Sequence, residues 1–266
     1  MTVPVMPAQS GIQGRAASLE GNRPALFISD LHLDRQRPDS VALFQRFMRE
    51  IAPTSGALYI LGDFFEAWLG DDDLADAFHG EIVAALRALS DGGVPVFFLH
   101  GNRDFLAGAD FARAAGLSLL PDPVRIDLFG TPTLLSHGDI FCTDDATYQA
   151  FRTQVRDPAW QAAFLAKPLQ ERHALALALR ERSEQAKADK KPEIMDVNTA
   201  AVARSALDMD VRRIIHGHTH RPARHEFHVA DRIVERWVLP DWYETGGYLR
   251  CGAEGCLAVG FSAGLA

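Results

Sequence analysis

At 266 residues and 47% hydrophobic content, the chain can bury a substantial core, as one domain or one domain with an insertion, which excludes disorder throughout. A net charge of −8 argues against a general nucleic-acid binder, whose affinity would rest on Lys and Arg neutralising phosphates. No apolar run approaches the roughly 18 to 20 residues a membrane-spanning helix requires. The three cysteines, Cys142, Cys251 and Cys256, are an odd number without zinc-finger spacing, which argues against a disulfide framework and favours a reducing, cytoplasmic compartment.

Residues 1–22 are rich in Gly, Ala, Ser, Pro and Gln and lack the apolar stretch of a secretory signal, so they read as a disordered extension. From Pro24 the pattern runs strand (ALFIS), loop (DLHLD), helix from Ser40 to Ile51 stopped by Pro53, strand (ALYIL) and loop (GDFFEAW). A longer helix opens at Asp72 or Asp73 and carries Leu74, Phe78, Ile82, Leu86 and Leu89 at helical spacing. The strand VPVFFLH then leads into GNRD. This alternation predicts a layered α/β architecture.

Between Val124 and Ser136 the sequence VRIDLFG-TPTLLS reads as a hairpin turning at Gly130. Residues 145–192 are polar and helix-favouring, broken at Pro158 and Pro168, and read as an inserted helical cap between two parts of one domain, 23–144 and 193–266. The cap holds nine Lys or Arg against six Asp or Glu, so it is the basic part of an acidic chain. Its run ALALAL, from Ala174 to Leu179, is apolar on every helical face, and Trp160, Phe164 and Leu165 add more. That surface either packs on the main domain or walls a groove for a lipid-like substrate. From Ala223 onward HEFHVA, RIVERWVL, YLRC and CLAVGF predict a second sheet, mostly antiparallel.

Seven candidate metal ligands fall in five short clusters: DLH (Asp30, His32), GD (Asp63), GNRD (Asn102), HGD (His137) and GHTH (His218, His220). Each cluster follows a strand-like run, so all five can sit at strand ends, where an open α/β sheet gathers its chemistry. Carboxylate, amide oxygen and imidazole suit divalent metals, and seven such groups are too many for one ion. The pattern predicts a two-metal site. Asp30 and His32, like His218 and His220, lie two apart and on extended backbone would project to one side.

Singly, these residues have quieter readings. Asp30 and Asp63 alone would be helix caps or turn residues, and only the other clusters reverse that order. Asp71 to Asp73 reads as a solvated helix start, Phe64, Phe65 and Trp68 as core and pocket wall, and Asp139 as a partner orienting a ligand. His79, His100, His173, His216, His225 and His228 stand outside the site.

The ordered set DLH, GD, GN, HGD and GHTH resembles the calcineurin-like metallophosphoesterases, over nearly the whole chain from residue 24. The resemblance implies a two-sheet β-sandwich flanked by helices. It also implies that Asp63 bridges two ions, with Asp30, His32 and His220 on one and Asn102, His137 and His218 on the other. Many members carry GNH where this chain has Arg103, and arginine can grip a phosphate oxygen but is a poor proton shuttle. The wording SDLHLD, GDFFEAWLGDD, GNRDFL, HGDIFCTDDATYQAFR, IMDVN and IHGHTHRP is similar to the UDP-2,3-diacylglucosamine hydrolases of lipid A synthesis within that superfamily. This second resemblance implies water attack on the α-phosphate of a nucleotide-sugar lipid, giving UMP and 2,3-diacylglucosamine 1-phosphate, with two divalent ions, Mn2+ the usual metal, and a cap that holds the acyl chains. It implies catalytic roles for Asp63, Asn102, Arg103 and His218, and substrate contacts from Asn102, Arg103, Asp145, Ser183, Lys187, Lys190 and His218. A membrane-borne substrate further implies peripheral contact with the cytoplasmic face of the inner membrane, with no nucleic acid and no obligate protein partner. The alternatives are a metallophosphoesterase acting on soluble nucleotide phosphodiesters or dinucleoside polyphosphates, and a scaffold that has lost catalysis. Retention of all seven ligands argues against the scaffold.

Overall fold

The computed structural model describes residues 23–188, 194 and 196–262, with only the helix backbone for 181–188. The extension expected over 1–22 lies outside the described residues. The apolar runs form β1 (Ala25–Ile28), β2 (Ala57–Ile60) and β3 (Val96–Leu99), which pair in parallel with β4 (Ser118–Leu120) beyond them. Strands buried on both faces read as continuous hydrophobic runs, which is why the alternation expected of a half-exposed strand is missing here.

The C-terminal strands divide between two sheets. β10 (Gly246–Gly252) and β11 (Gly255–Phe261) join the first, in order β11-β10-β1-β2-β3-β4. The second comprises β5 (Val124–Leu128), β6 (Thr131–Leu135), β7 (Arg213–His216), β8 (Ala223–Val229) and β9 (Arg232–Val238), in order β5-β6-β7-β9-β8. The hairpin β5–β6 is as expected, but a mostly antiparallel second sheet is not: β6 with β7 and β7 with β9 are parallel. β7 returns through the helix α7 (Thr199–Asp208), and a crossover of that kind brings a strand back in the direction it left.

Between the sheets, Phe27, Tyr59 and Leu61 meet Ile126, Leu135 and Ile215 in one buried layer. The helices α1 (Pro38–Arg46), α2 (Ala77–Asp91) and α3 (Ala109–Ala115) cover the outer face of the first sheet, and α7 covers the second. The α/β two-sheet sandwich flanked by helices therefore stands.

Two local expectations fail. Asp71–Ala75 is a short 3-10 turn, and α2 starts beyond it at Asp76, whose Oδ1 accepts from Phe78 N at 2.9 Å. Asp71 is engaged elsewhere: it accepts from Gly108 N and Asp110 N at 2.8 Å and Phe111 N at 3.0 Å, capping α3 across space. Asp72 pairs with Arg172. The second failure is chemical. Cys251 and Cys256 face each other in the β10–β11 ladder, Cα atoms 4.1 Å apart, and form a disulfide. The hairpin register creates a pair that cysteine counting did not reveal, so the cysteines no longer support a reducing compartment.

Three consecutive helices, α4 (Ala146–Val155), α5 (Pro158–Leu165) and α6 (Leu169–Ala188), fill the stretch between β6 and α7, with breaks at the two prolines. Arg152 of α4 donates to Asp139, and Arg172 of α6 reaches Asp72 and the Leu69 carbonyl. Among the described residues, no helix is long and apolar enough to cross a membrane.

Candidate metal centre

All five ligand clusters lie just past the C-terminal ends of β1, β2, β3, β6 and β7. Their backbone is not extended. Asp30 (φ 56°), His32 (48°), Asp63 (49°), His218 (70°) and His220 (53°) all occupy the left-handed region, five of the eight non-glycine residues that do so among those described. Simple alternation therefore does not explain why Asp30 and His32 converge. Such conformations cost energy and persist where surrounding bonds dictate them. Here Asp30 N donates to Gly62 O (3.1 Å), His32 N to Asp63 O (2.9 Å) and His218 N to Asp30 Oδ2 (2.9 Å).

The side chains come together in two sets. His32 Nε2 lies 3.3 Å from His220 Nε2, and His220 Nε2 lies 3.4 Å from Asp30 Oδ1. His137 Nε2 lies 3.1 Å from Asn102 Oδ1 and 3.2 Å from His218 Nδ1. Asp63 stands between them, Oδ2 at 3.8 Å from His32 Nε2 and Oδ1 at 3.8 Å from His137 Nε2. Asp30 also falls within reach of the second set, with Asp63 and His137. All seven predicted ligands are thus gathered at one place.

The donor set fits divalent cations. Imidazole nitrogens face one another at 3.2–3.3 Å without backbone acceptors between them, and buried Asp30 Oδ1 accepts no hydrogen bond. Carboxylate, amide and imidazole groups that converge in this way are what hard to borderline ions require. Burial works against charge on Asp30, yet His220, His137 and His32 hold its carboxyl well below the usual range. Burial likewise opposes a charged His137, but the carboxylates of Asp63, Asp30 and Asp139 raise it to about 9. Burial and His137 together lower His218 to about 4. At neutral pH the metal-free site therefore holds a proton on His137, and a metal must displace it. Loading Mn2+ at pH 7 should release at least one proton, since against the pull of burial Asp30 and Asp241 also raise His220, and apparent affinity should climb with pH towards 9. Calorimetry in two buffers of different ionisation enthalpy measures this; identical heats would refute it.

A cavity opens from this cluster at Asn102 and Arg103 and runs between the main domain and α5–α6, where Trp68, Trp160, Phe164, Leu177 and Leu179 wall it. Leu177 is 60% exposed, so the apolar surface of ALALAL is not consumed by packing on the main domain.

The calcineurin-like phosphoesterase family matches the chain over residues 23–222. This chain belongs to the calcineurin-like phosphoesterases. Among its relatives, the UDP-2,3-diacylglucosamine hydrolase of Stenotrophomonas maltophilia is 52% identical over 237 residues, covering 86% of this chain and 95% of that protein. That of Aromatoleum aromaticum is 52% identical over 242 residues (91% and 98%), and that of Serratia proteamaculans 49% over 236 (89% and 98%).

In this calcineurin-like phosphoesterase several supporting residues escaped the sequence reading. Glu66 is buried, with Oε2 at 3.2 Å from His32 Nδ1 and 3.3 Å from Arg37 Nη2, and Oε1 at 2.7 Å from Arg180 Nη2 and 3.8 Å from Arg103 Nη1. Its only signal was an acid inside the apolar stretch FFEAW. Asp241 lies 3.5 Å from His220 Nδ1. Buried Asp104 accepts from Phe64 N and Gly101 N at 2.7 Å and ties the second and third ligand loops together. Asp139, expected to orient a ligand, accepts from Tyr148 Oη and Arg152 Nε at 2.8 Å, because α4 projects both over it, and its charge also acts on His137. Of the expected substrate contacts, Asp145 caps α4 by accepting from Tyr148 N at 3.0 Å. Ser183 and Lys187 lie where only the α6 backbone is described, and Lys190 lies outside the described residues. Carboxylates behind metal-binding imidazoles hold ring orientation, so Glu66→Gln should weaken Mn2+ binding by roughly 10- to 100-fold. Titration of metal-free protein reads this directly, and unchanged affinity would remove Glu66 from the site.

Proposed function

We propose that the chain hydrolyses the pyrophosphate of UDP-2,3-diacylglucosamine to UMP and 2,3-diacylglucosamine 1-phosphate, using two Mn2+ ions. The observation that carries this reading is the apolar cavity meeting the ligand cluster at Asn102 and Arg103. A soluble nucleotide has no use for such a cavity; two acyl chains do. In this reading residues 145–192 are a cap over a catalytic domain of 23–144 and 193–266, and the names of the relatives agree with it.

Asp30, His32 and His220 hold one ion and Asn102, His137 and His218 the other, with Asp63 shared. Bound there, the pair lowers the pKa of a water and neutralises charge on the diphosphate. The protein's own part is positional. The Arg103 backbone N–H donates to Asp63 Oδ1 at 2.8 Å, which fixes the loop so that its guanidinium faces the cavity mouth as a phosphate clamp. Arg180 of α6, held by Glu66, adds a second cation on the same wall.

Turnover of UDP-2,3-diacylglucosamine with and without Mn2+, beside bis(p-nitrophenyl) phosphate and dinucleoside polyphosphates, tests the reading. Activity confined to the soluble esters would replace it with the soluble-substrate alternative. Exposed Leu165, Leu175, Leu177 and Leu179 on α5 and α6 give the cap a surface for peripheral attachment to the inner membrane's cytoplasmic face. Co-sedimentation with anionic vesicles at physiological salt should be measurable, and its absence would rule attachment out.

A further inference from the structure

In the proposed reaction the apolar cavity takes the lipid half of a bipartite substrate. A second pocket of about 260 Å³ lies beside the ligand cluster: Thr219, the residue between His218 and His220, lines it, whereas the first is lined by Asn102 itself. The two share no lining residue. The second carries four charged or titratable side chains, Asp196, Arg221, His225 and Arg236, among apolar surface from Pro222, Ala223 and Val238.

Arg236 is out of place for a structural residue. In the β8–β9 ladder it pairs with His225, on the face that also carries Phe227, Val229 and Val234, which pack into the core under α7. His225 is exposed, whereas the guanidinium of Arg236 opposite it is half-buried, and a half-buried charge is unfavourable unless something compensates. The other arginines of these strands are compensated: Arg213 and Arg224 each reach Glu235 at 2.9 Å, and Arg232 pairs with Asp210. Arg236, half-buried, makes no hydrogen bond or ion pair among the described residues, and the neighbouring acid Asp196 is held by Arg221. Among the described residues, Arg236 therefore has no acceptor of its own in the pocket, with Asp196 acting on it only at longer range.

We infer that this pocket is the subsite for the nucleotide half of the substrate, with Arg236 donating to acceptor oxygens of the uridine monophosphate portion. The inference rests on the proposed reaction. A diphosphate at the metal centre sends its two substituents in different directions, and the apolar cavity is already assigned to the acyl chains in the proposed reaction. A guanidinium offers donors only, which suits a uracil ring with two carbonyl acceptors and a ribose rich in oxygen.

The test uses Mn2+-loaded enzyme and compares wild type, Arg236→Gln and His225→Ala. Titration with UMP should give a Kd about tenfold higher in Arg236→Gln and a smaller rise in His225→Ala, as expected for loss of a charge-assisted hydrogen bond. KM for the nucleotide lipid should rise with it. Inhibition by inorganic phosphate and by 2,3-diacylglucosamine 1-phosphate should not move, since neither uses this pocket; a merely structural effect of the substitution would weaken all three. UMP affinity unchanged in both variants, or lost in parallel with the lipid product, overturns the assignment. A wild-type enzyme inactive on the nucleotide lipid would sink the proposed reaction instead, while UMP affinity that depends on Arg236 would still support the pocket.

Discussion

Asp63→Ala should reduce turnover by about a thousandfold or more, the scale expected when roughly 4 kcal/mol of transition-state stabilisation is lost. The size follows from the number of things one carboxylate does. Its two oxygens face opposite ligand sets, 3.8 Å from His32 Nε2 on one side and from His137 Nε2 on the other, so neither set keeps its full complement without it. Oδ1 also accepts from Arg103 N at 2.8 Å, which positions the loop of the proposed phosphate clamp. In the proposed arrangement, removing the side chain would strip a donor from each ion and release the Arg103 loop. Metal analysis should show fewer than two Mn2+ per chain. Asp63→Asn, which keeps the shape and removes the charge, should retain fold and lose most activity. An Asp63→Ala protein that turns over normally would defeat the bridging assignment.

The convergence of the seven candidate ligands was legible because each is a chemically conspicuous residue placed directly after an apolar strand. Sequence reports that adjacency well. It does not report backbone hand: the left-handed conformations at Asp30, His32, Asp63, His218 and His220 come from hydrogen bonds between distant loops, as when His218 N donates to Asp30 Oδ2 across 188 positions of chain. Glu66, Asp104 and Asp241 escaped for a related reason. An acid has no local mark that distinguishes a solvated side chain from one buried against an imidazole or two amides, and partners such as Arg180 lie far along the chain. Asp71 shows the same blindness in the fold: three acids in a row suggest a helix start, yet the first caps a helix 37 positions away. Sheet membership of β10 and β11 was likewise undecidable locally, because an edge strand pairs with whichever neighbour the crossovers leave open. Hydrophobic surplus in ALALAL was visible, but whether it was covered depended on where α6 sits, which Arg172 and Arg180 fix through Asp72 and Glu66.

Gly217→Ala should damage the metal centre about as severely as deletion of a ligand, although every ligand remains. A Cβ at Gly217 would stand 2.1 Å from Asp30 Oδ2 and 2.1 Å from Ser29 Oγ, and one at Gly101 would stand 2.2 Å from Asp63 Oδ1 and from Asp63 N. Contacts that short cannot be tolerated, so the carboxylate or the loop must move. Neither φ is positive; glycine is needed at these two positions for close approach rather than for backbone freedom. The neighbours cannot yield cheaply. Asp30 is fully buried, its backbone is left-handed, and its N–H and carbonyl are bonded to Gly62 O and Trp242 N at 3.1 Å. Over-packing at a rigid site costs about 1–3 kcal/mol of stability, and a displaced Asp30 costs one ion its carboxylate. Gly217→Ala and Gly101→Ala should therefore bind less Mn2+, lose most turnover and melt a few degrees lower. Gly260→Ala, where an added methyl meets nothing within 4 Å, serves as the control and should match wild type. Full metal content and turnover in Gly217→Ala would mean that the loops relax by more than an ångström, and the picture of a site held rigid by interlocked loops would have to be given up.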